Sequence, residues 1–226
     1  MGHGVSCMCW RDGGVDAGCR RRGRAWTELN DDDEGDDDDA EGAEAPCEVR
    51  VALVGDTGVG KTTLARRFLE GPCEDDSRSN SSTIGVEWRT KTVRQDGRAY
   101  RVAVVDCGGR RKYERLAQGF LARCDVALVA YDAGCGDTLA AAAAWARTWR
   151  RSRHFADCPW VLLALKCDGV CVPSARAQAL AAAEGACGVR CASARTGRNV
   201  DAVFAEALRI AADGRARRND TACLHA

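Results

Sequence analysis

What the chain lacks narrows its chemistry first. Among 226 residues there are only three histidines, two methionines and four prolines, and no two cysteines stand in a Cys-x-x-Cys pair. A zinc centre would need such pairs or more histidines, so none is expected. No apolar run approaches the length that crosses a bilayer. The first residues lack the apolar stretch of a secretory leader. Lysine and arginine nowhere interleave with aromatics in a stripe, which argues against a nucleic-acid partner. The fourteen cysteines are scattered through apolar segments, and they read as free thiols of a reducing compartment.

A net charge of zero, from 33 basic and 33 acidic residues, conceals segregation. "RRRGR" (Arg20 to Arg24) is positive, whereas "NDDDEGDDDDAEGAE" (Asn30 to Glu44) is strongly negative. The acidic run reads as a solvated, disordered spacer, because like charges repel and nothing apolar is there to bury. Residues 1–46 therefore form an N-terminal extension closed by Pro46.

From Cys47 the texture changes. "CEVRVALVG", "YRVAVVD", "DVALVAYD", "WVLLALKCD" and "GVRCAS" are short apolar runs, and alanine-rich helical stretches separate the later ones. Strands alternating with helices predict an α/β fold with a mostly parallel six-stranded sheet and helices on both faces. "RQDGRAY" places Asp96-Gly97 between two strand-like runs, which predicts one hairpin and hence one antiparallel edge strand. The boundaries read from this pattern are 47–212 for the folded domain and 213–226 for a short basic tail.

"VALVGDTGVGKTT" carries Gly55-x-x-x-x-Gly60-Lys61-Thr62 directly after a strand and before the helical "LARRFLE". The segment Gly55, Asp56, Thr57, Gly58, Val59, Gly60 can turn consecutive N–H groups inward around phosphate oxygens. Lys61 then reaches the outer phosphates, the Thr62 hydroxyl ligates magnesium, and Thr63 continues the helix start. This is the P-loop of a nucleoside-triphosphate-binding domain.

Together with the stretches around it, the P-loop resembles the Ras-like small GTPases, and the Rab branch in particular, over roughly Val49 to Ala211. "STIGVEW" resembles the Rab effector loop, which implies Thr83 on magnesium and the γ-phosphate. It also implies a partner-facing surface of Ile84, Gly85, Val86, Glu87 and Trp88, joined by Tyr113. "DCGG" matches DxxG, implying Asp106 on a magnesium-bound water and Gly109 on the γ-phosphate. "LKCD" stands where NKxD belongs and "SAR" where SAK belongs, implying a guanine site of Lys166, Asp168, Ser193, Ala194 and Arg195. The Asp168 carboxylate can accept from both N1–H and the exocyclic amine of guanine, which favours GTP and GDP. The resemblance thus implies a P-loop G domain holding GTP or GDP with Mg2+, acting as a monomer. Effectors, an exchange factor and an activating protein would be its partners.

Four positions depart from that pattern. Arg110 occupies the place of the catalytic Gln, and a guanidinium has donors only, so it cannot accept from an attacking water. Leu165 replaces the Asn of NKxD and deletes polar contacts worth about 1–2 kcal/mol. The first switch, "EGPCEDDSRSNSSTIG", is long and has no aromatic between Phe68 and Trp88. Val105 stands where Rabs place a partner-facing Trp. These changes predict weak intrinsic hydrolysis and unusual partners. They leave two readings open: a GTPase switch that depends on an activating protein, and a pseudo-GTPase that holds nucleotide as a scaffold.

The ends bear on the membrane. "MGHGVSCMCW" satisfies the N-myristoylation pattern through Gly2 and Ser6, and Cys7 and Cys9 are placed for palmitate. One acyl chain anchors marginally, while two, or one with a basic patch, anchor stably. "CLHA" puts Cys223 in a CaaX-like position for prenylation, with His225 ill suited to it. Attachment to the cytoplasmic surface of a membrane through lipid is therefore expected.

Overall fold

The apolar runs become strands because their valines and leucines can be buried on both faces at once. The computed structural model describes residues 27–28, 45–72, 82–110, 119, 122–151, 158–168 and 174–223. In chain order its elements are β1 (Thr27–Glu28), β2 (Cys47–Gly55), α1 (Lys61–Glu70), β3 (Val86–Gln95) and β4 (Arg98–Cys107). β5 (Val126–Asp132), α2 (Gly136–Arg151), β6 (Trp160–Leu165), α3 (Ala175–Glu184), β7 (Val189–Cys191) and α4 (Val200–Cys223) follow. The sheet order is β1-β3-β4-β2-β5-β6-β7. Strands β4, β2, β5, β6 and β7 are parallel, and β3 is antiparallel to β4.

The sheet divides the core in two. On one face α1 and α4 pack on Val51, Leu53, Val104, Leu128 and Leu163, with Phe68 and Phe204 stacked at 3.8 Å between centroids. On the other, α2 and α3 cover Ala52, Val54, Val129, Leu162 and Ala164. Alanines along α2 and α3 let these helices approach the sheet closely, whereas the Phe pair sets a thicker layer opposite. The hairpin joining β3 and β4 turns at Asp96 (φ 51°) and Gly97 (φ 80°), the left-handed pair that a two-residue type I′ turn requires. Ser174 caps α3 by accepting from the Ala177 N–H, and left-handed Gly185 ends it.

Two features differ from the sequence reading. The six expected strands are joined by a seventh: Thr27 and Glu28, from the extension, pair antiparallel with Arg94 and Val93. β3 is consequently not the edge along its whole length. Its outward N–H and C=O groups offer a ready ladder to any nearby extended segment. The second difference is α4, which runs on to Cys223 where a tail was expected from 213. "RARRNDTAC" contains no proline, and its arginines and alanines favour a helix, whereas Gly214, Asn219, Asp220 and Thr221 weigh against continuation.

One contact explains what the extra turns of α4 hold. Arg215 donates to Asp125 (2.9 Å), to the Glu48 carbonyl (2.5 Å) and to the Cys47 thiol (3.1 Å). It thereby clasps the starts of β2 and β5. The described cysteines are free thiols; burial pushes Cys124 up to about 12, which leaves it inert at neutral pH. Among the described residues no helix is long and apolar enough to cross a membrane. The readings placed on Gly2, Ser6, Cys7, Cys9, the acidic run, residues 73–81 and Tyr113 lie outside the described residues.

Candidate functional site

At the carboxyl end of β2 the chain must turn sharply into α1. Gly55 has φ 139°, and a Cβ there would stand 2.2 Å from the Ala130 carbonyl oxygen of β5, so only glycine fits. Gly60, at φ 103°, caps α1 without a side-chain hydrogen bond. The first-turn N–H groups of α1 thus keep their capacity for an anion. Lys61 is 5% exposed. Its ammonium donates to the carbonyls of Gly55 (3.0 Å) and Asp56 (2.6 Å), lying across the mouth of the loop. Burial lowers its pKa, and the nearby Asp106 charge opposes that shift.

Three oxygen-bearing side chains from separate segments meet beside Lys61. Thr62 donates to Asp106 Oδ2 at 2.5 Å and lies 2.7 Å from the Thr83 hydroxyl. Thr83 reaches the same Asp106 oxygen at 3.3 Å. The other oxygen, Asp106 Oδ1, is buried with no hydrogen-bond partner among the described residues. Burial raises the Asp106 pKa, while the Thr62 hydrogen bond and the Lys61 charge pull it down. An all-oxygen donor set with one orphaned carboxylate oxygen fits a hard divalent cation such as Mg2+.

Backbone contacts hold the flanking segments onto this point. The Gly108 N–H donates to the Gly85 carbonyl (2.8 Å), tying the end of β4 to the segment that carries Thr83. A Cβ on Gly109 would come within 2.4 Å of the Asp56 carbonyl carbon and the Thr57 nitrogen, so this residue packs directly on the P-loop.

Asp168 is gripped on both oxygens, by the Ser193 hydroxyl (2.5 Å) and by Arg195 Nε (2.9 Å). The Ser193 hydrogen bond, first among several causes, holds its carboxyl below the usual range. The Thr196 N–H orients Ser193 by donating to its oxygen (3.1 Å). Ala194 packs against the core from the same loop. Lys166 adopts left-handed φ 61°, and its ammonium pairs with Asp132 at 2.8 Å. Its stem lies over the P-loop, 3.9 Å from where a Gly60 Cβ would stand. Asp132 was not singled out from sequence; its signal is an acid closing the buried run "VALVAYD" at the strand end, where α/β sheets gather their ligands. Leu165 is 1% exposed, and its Cδ1 lies 3.9 Å from the same point beside Gly60. Apolar packing beneath the loop therefore replaces the polar tie that Asn would supply.

On the side of Thr83, Ile84 is 83% and Trp88 is 42% exposed. The Arg50 guanidinium lies 5.5 Å from the Trp88 ring centroid. Val86 is half-buried, and Glu87 is paired with Arg89, which also holds Glu70. Val105, across the ladder from Trp88, is fully buried. Arg110 is exposed just beyond Gly109.

The sequence model of the Ras family matches residues 50–213. The chain is 32% identical over 162 residues to "Ras-related protein RABA1a" of Arabidopsis thaliana, covering 70% of this chain and 73% of that protein. It is 29% identical over 98 residues to "Ras-related protein Rab-30" of Homo sapiens, covering 43% of this chain and 47% of that protein. To "Ras-related protein Rab-15" of Rattus norvegicus it is 35% identical over 83 residues, covering 37% and 38% respectively.

Proposed function

The chain belongs to the Ras family, in its Rab-like branch, and from that premise we propose that it is a divergent, membrane-associated GTPase switch of vesicle traffic. The observation that carries this reading is the meeting of Thr62, Thr83 and Asp106 beside Lys61. Thr83 comes from the segment that partners would read, so its position couples nucleotide state to that surface. Lys61 and the α1 N-terminus would bind phosphate, and Asp168 with Ser193 would read guanine. Thr62 and Thr83 would hold Mg2+ directly, and Asp106 would hold it through a water. When bound, that ion neutralises phosphate charge. Arg110 supplies charge but no acceptor, so turnover would depend on an activating protein that brings its own water-orienting group. The alternative of a scaffold that never cycles draws no support from Lys61, Thr62, Thr83 and Asp168.

Asp106 gives a direct test. Burial raises its pKa, so metal-free stability falls as pH rises through that value, and the ionised carboxylate is a cost at pH 7. Asp106→Asn is expected to hold or raise the melting temperature in EDTA. The same variant should lose the increase that Mg2+ with GDP confers on the native chain. Thermal scans with and without Mg2+ read both. Lower stability in EDTA with an intact Mg2+ response would remove Asp106 from this role.

Attachment is proposed to the cytoplasmic face of an endomembrane or the plasma membrane, chiefly through acylation at Gly2 with Cys7 and Cys9. Gly2→Ala is expected to release most of the protein to the soluble fraction, and Cys223→Ser little, because two acyl chains convert reversible contact into stable residence. Fractionation of both variants decides it; the reverse pattern would assign the anchor to Cys223.

A further inference from the structure

Six arginines described in this fold have found a carboxylate: Arg50 with Glu48, Arg89 with Glu87, Arg147 with Glu184, Arg190 with Glu206, Arg195 with Asp168, Arg215 with Asp125. Three on the β3–β4 hairpin have not. Arg94, Arg98 and Arg101 are exposed, and no carboxylate among the described residues pairs with them. Arg94 sits opposite Ala99 and Arg101 opposite Thr92. They are thus diagonal neighbours on one sheet face, about 7–8 Å apart at the backbone. Val93 and Tyr100, of opposite parity, face α1 and α4, which puts Arg94 and Arg101 on the face away from those helices. Arg98 stands at the tip beside the Asp96-Gly97 turn.

The chain's own acidic run begins and ends beside this hairpin. Thr27 and Glu28 pair along the outer side of β3, against Arg94 and Val93. Cys47 pairs with Tyr100 on the far side of β4. Residues 29–46 must therefore pass from one flank of the hairpin to the other, across three strand spacings, about 14 Å. Fully extended they would reach roughly 60 Å, so there is ample slack. A route on the α1 and α4 side would have to climb over those helices, and there Gln95 donates to the Ala205 carbonyl of α4. The remaining routes, over the tip or the open face, run past Arg98 or past Arg94 and Arg101.

We propose that the acidic segment from Asp31 to Asp39 docks around the tip of the β3–β4 hairpin, held by charge pairing with Arg94 and Arg101 on one face and with Arg98 at the rim of the other. Each exposed pair is weak. Tethering at both ends, however, gives the segment an effective concentration in the millimolar range, so several weak pairs suffice. The docking fastens Thr27 and Glu28 to the edge of β3 and covers the hairpin end of the sheet face that carries Trp88. It needs no nucleotide and stands apart from the function proposed above.

The chain has few lysines, which makes the test clean: besides Lys91 on β3, only Lys61, Lys112 and Lys166 occur. Converting Arg94→Lys, Arg98→Lys and Arg101→Lys in the full chain keeps the charge and introduces amines for carbodiimide coupling. Mass spectrometry of the digested monomer is expected to show amide links from Asp31–Asp39 to positions 94, 98 and 101. These should exceed links to Lys112 and Lys166 by about tenfold and disappear in about 0.5 M NaCl, where the Debye length is only a few ångströms. Links spread evenly over all lysines would overturn the proposal. So would links found only between isotope-labelled and unlabelled chains. In the unmodified protein, Arg94→Glu with Arg101→Glu should speed amide exchange at Thr27 and Glu28 several-fold, and unchanged exchange would also count against it.

Discussion

Lys61→Ala is expected to weaken binding of GDP by about a hundredfold or more, the loss that follows when a buried charge-assisted contact to phosphate is removed, about 3 kcal/mol. The ammonium is almost wholly enclosed and lies across the Gly55 and Asp56 carbonyls at the mouth of the P-loop. Lys166 also lies over the loop, but its ammonium is held by Asp132 at 2.8 Å, so it is not placed to take over. Without ligand the variant is expected to melt within a few degrees of the native chain. It loses two hydrogen bonds, yet it is also relieved of the desolvation that depresses the lysine's pKa. Titration of fluorescent GDP and a thermal scan on the same preparation separate the two effects. Unchanged affinity would refute phosphate binding by this loop; lost affinity with a collapsed melting temperature would show damage to the fold instead.

Arg110→Gln is expected to accelerate single-turnover hydrolysis of bound GTP by about tenfold or more, equivalent to about 1.4 kcal/mol of barrier or greater. Gln brings a carbonyl that accepts from water and an amide that donates, whereas the guanidinium only donates. Arg110 is exposed beside Gly109, whose backbone is seated on the P-loop, so the exchange leaves the packing undisturbed. Guanine-nucleotide affinity should hardly move. If the native chain already hydrolyses as fast as the variant, Arg110 is not what limits the reaction.

Much of the fold was legible because its signals are local. Buried strands declared themselves as short valine-rich runs, Asp96-Gly97 announced its hairpin, and the spacing from Gly55 to Thr62 located the P-loop. What escaped depends on contacts between distant segments. Thr27–Glu28 carries too few residues for a period and is a strand only because β3 offers an open ladder. The extra turns of α4 owe their place to Arg215, whose partners lie at the starts of β2 and β5, far off in sequence. Of the candidate site, the residues that gather at the P-loop, Lys61, Thr62, Thr83 and Asp106, stand in recognisable motifs. The Lys166–Asp132 pair and the packing of Leu165 beside Gly60 do not, because each joins two different crossovers of the sheet.

The Arg215 clasp also determines how the domain would bear a mechanical load. A pull on the C-terminal end of α4, as from an anchor beyond it, is carried first by the hydrogen bonds to Asp125 and to the Glu48 carbonyl. These stand at the starts of β2 and β5, whereas the P-loop begins where β2 ends. With nine residues in β2, roughly 30 Å of hydrogen-bonded strand lies between the two. Tension is therefore taken up in shear along parallel neighbours on either side of β2, the direction in which a sheet is stiffest. A body dragged by its tail would keep its grip at the other end.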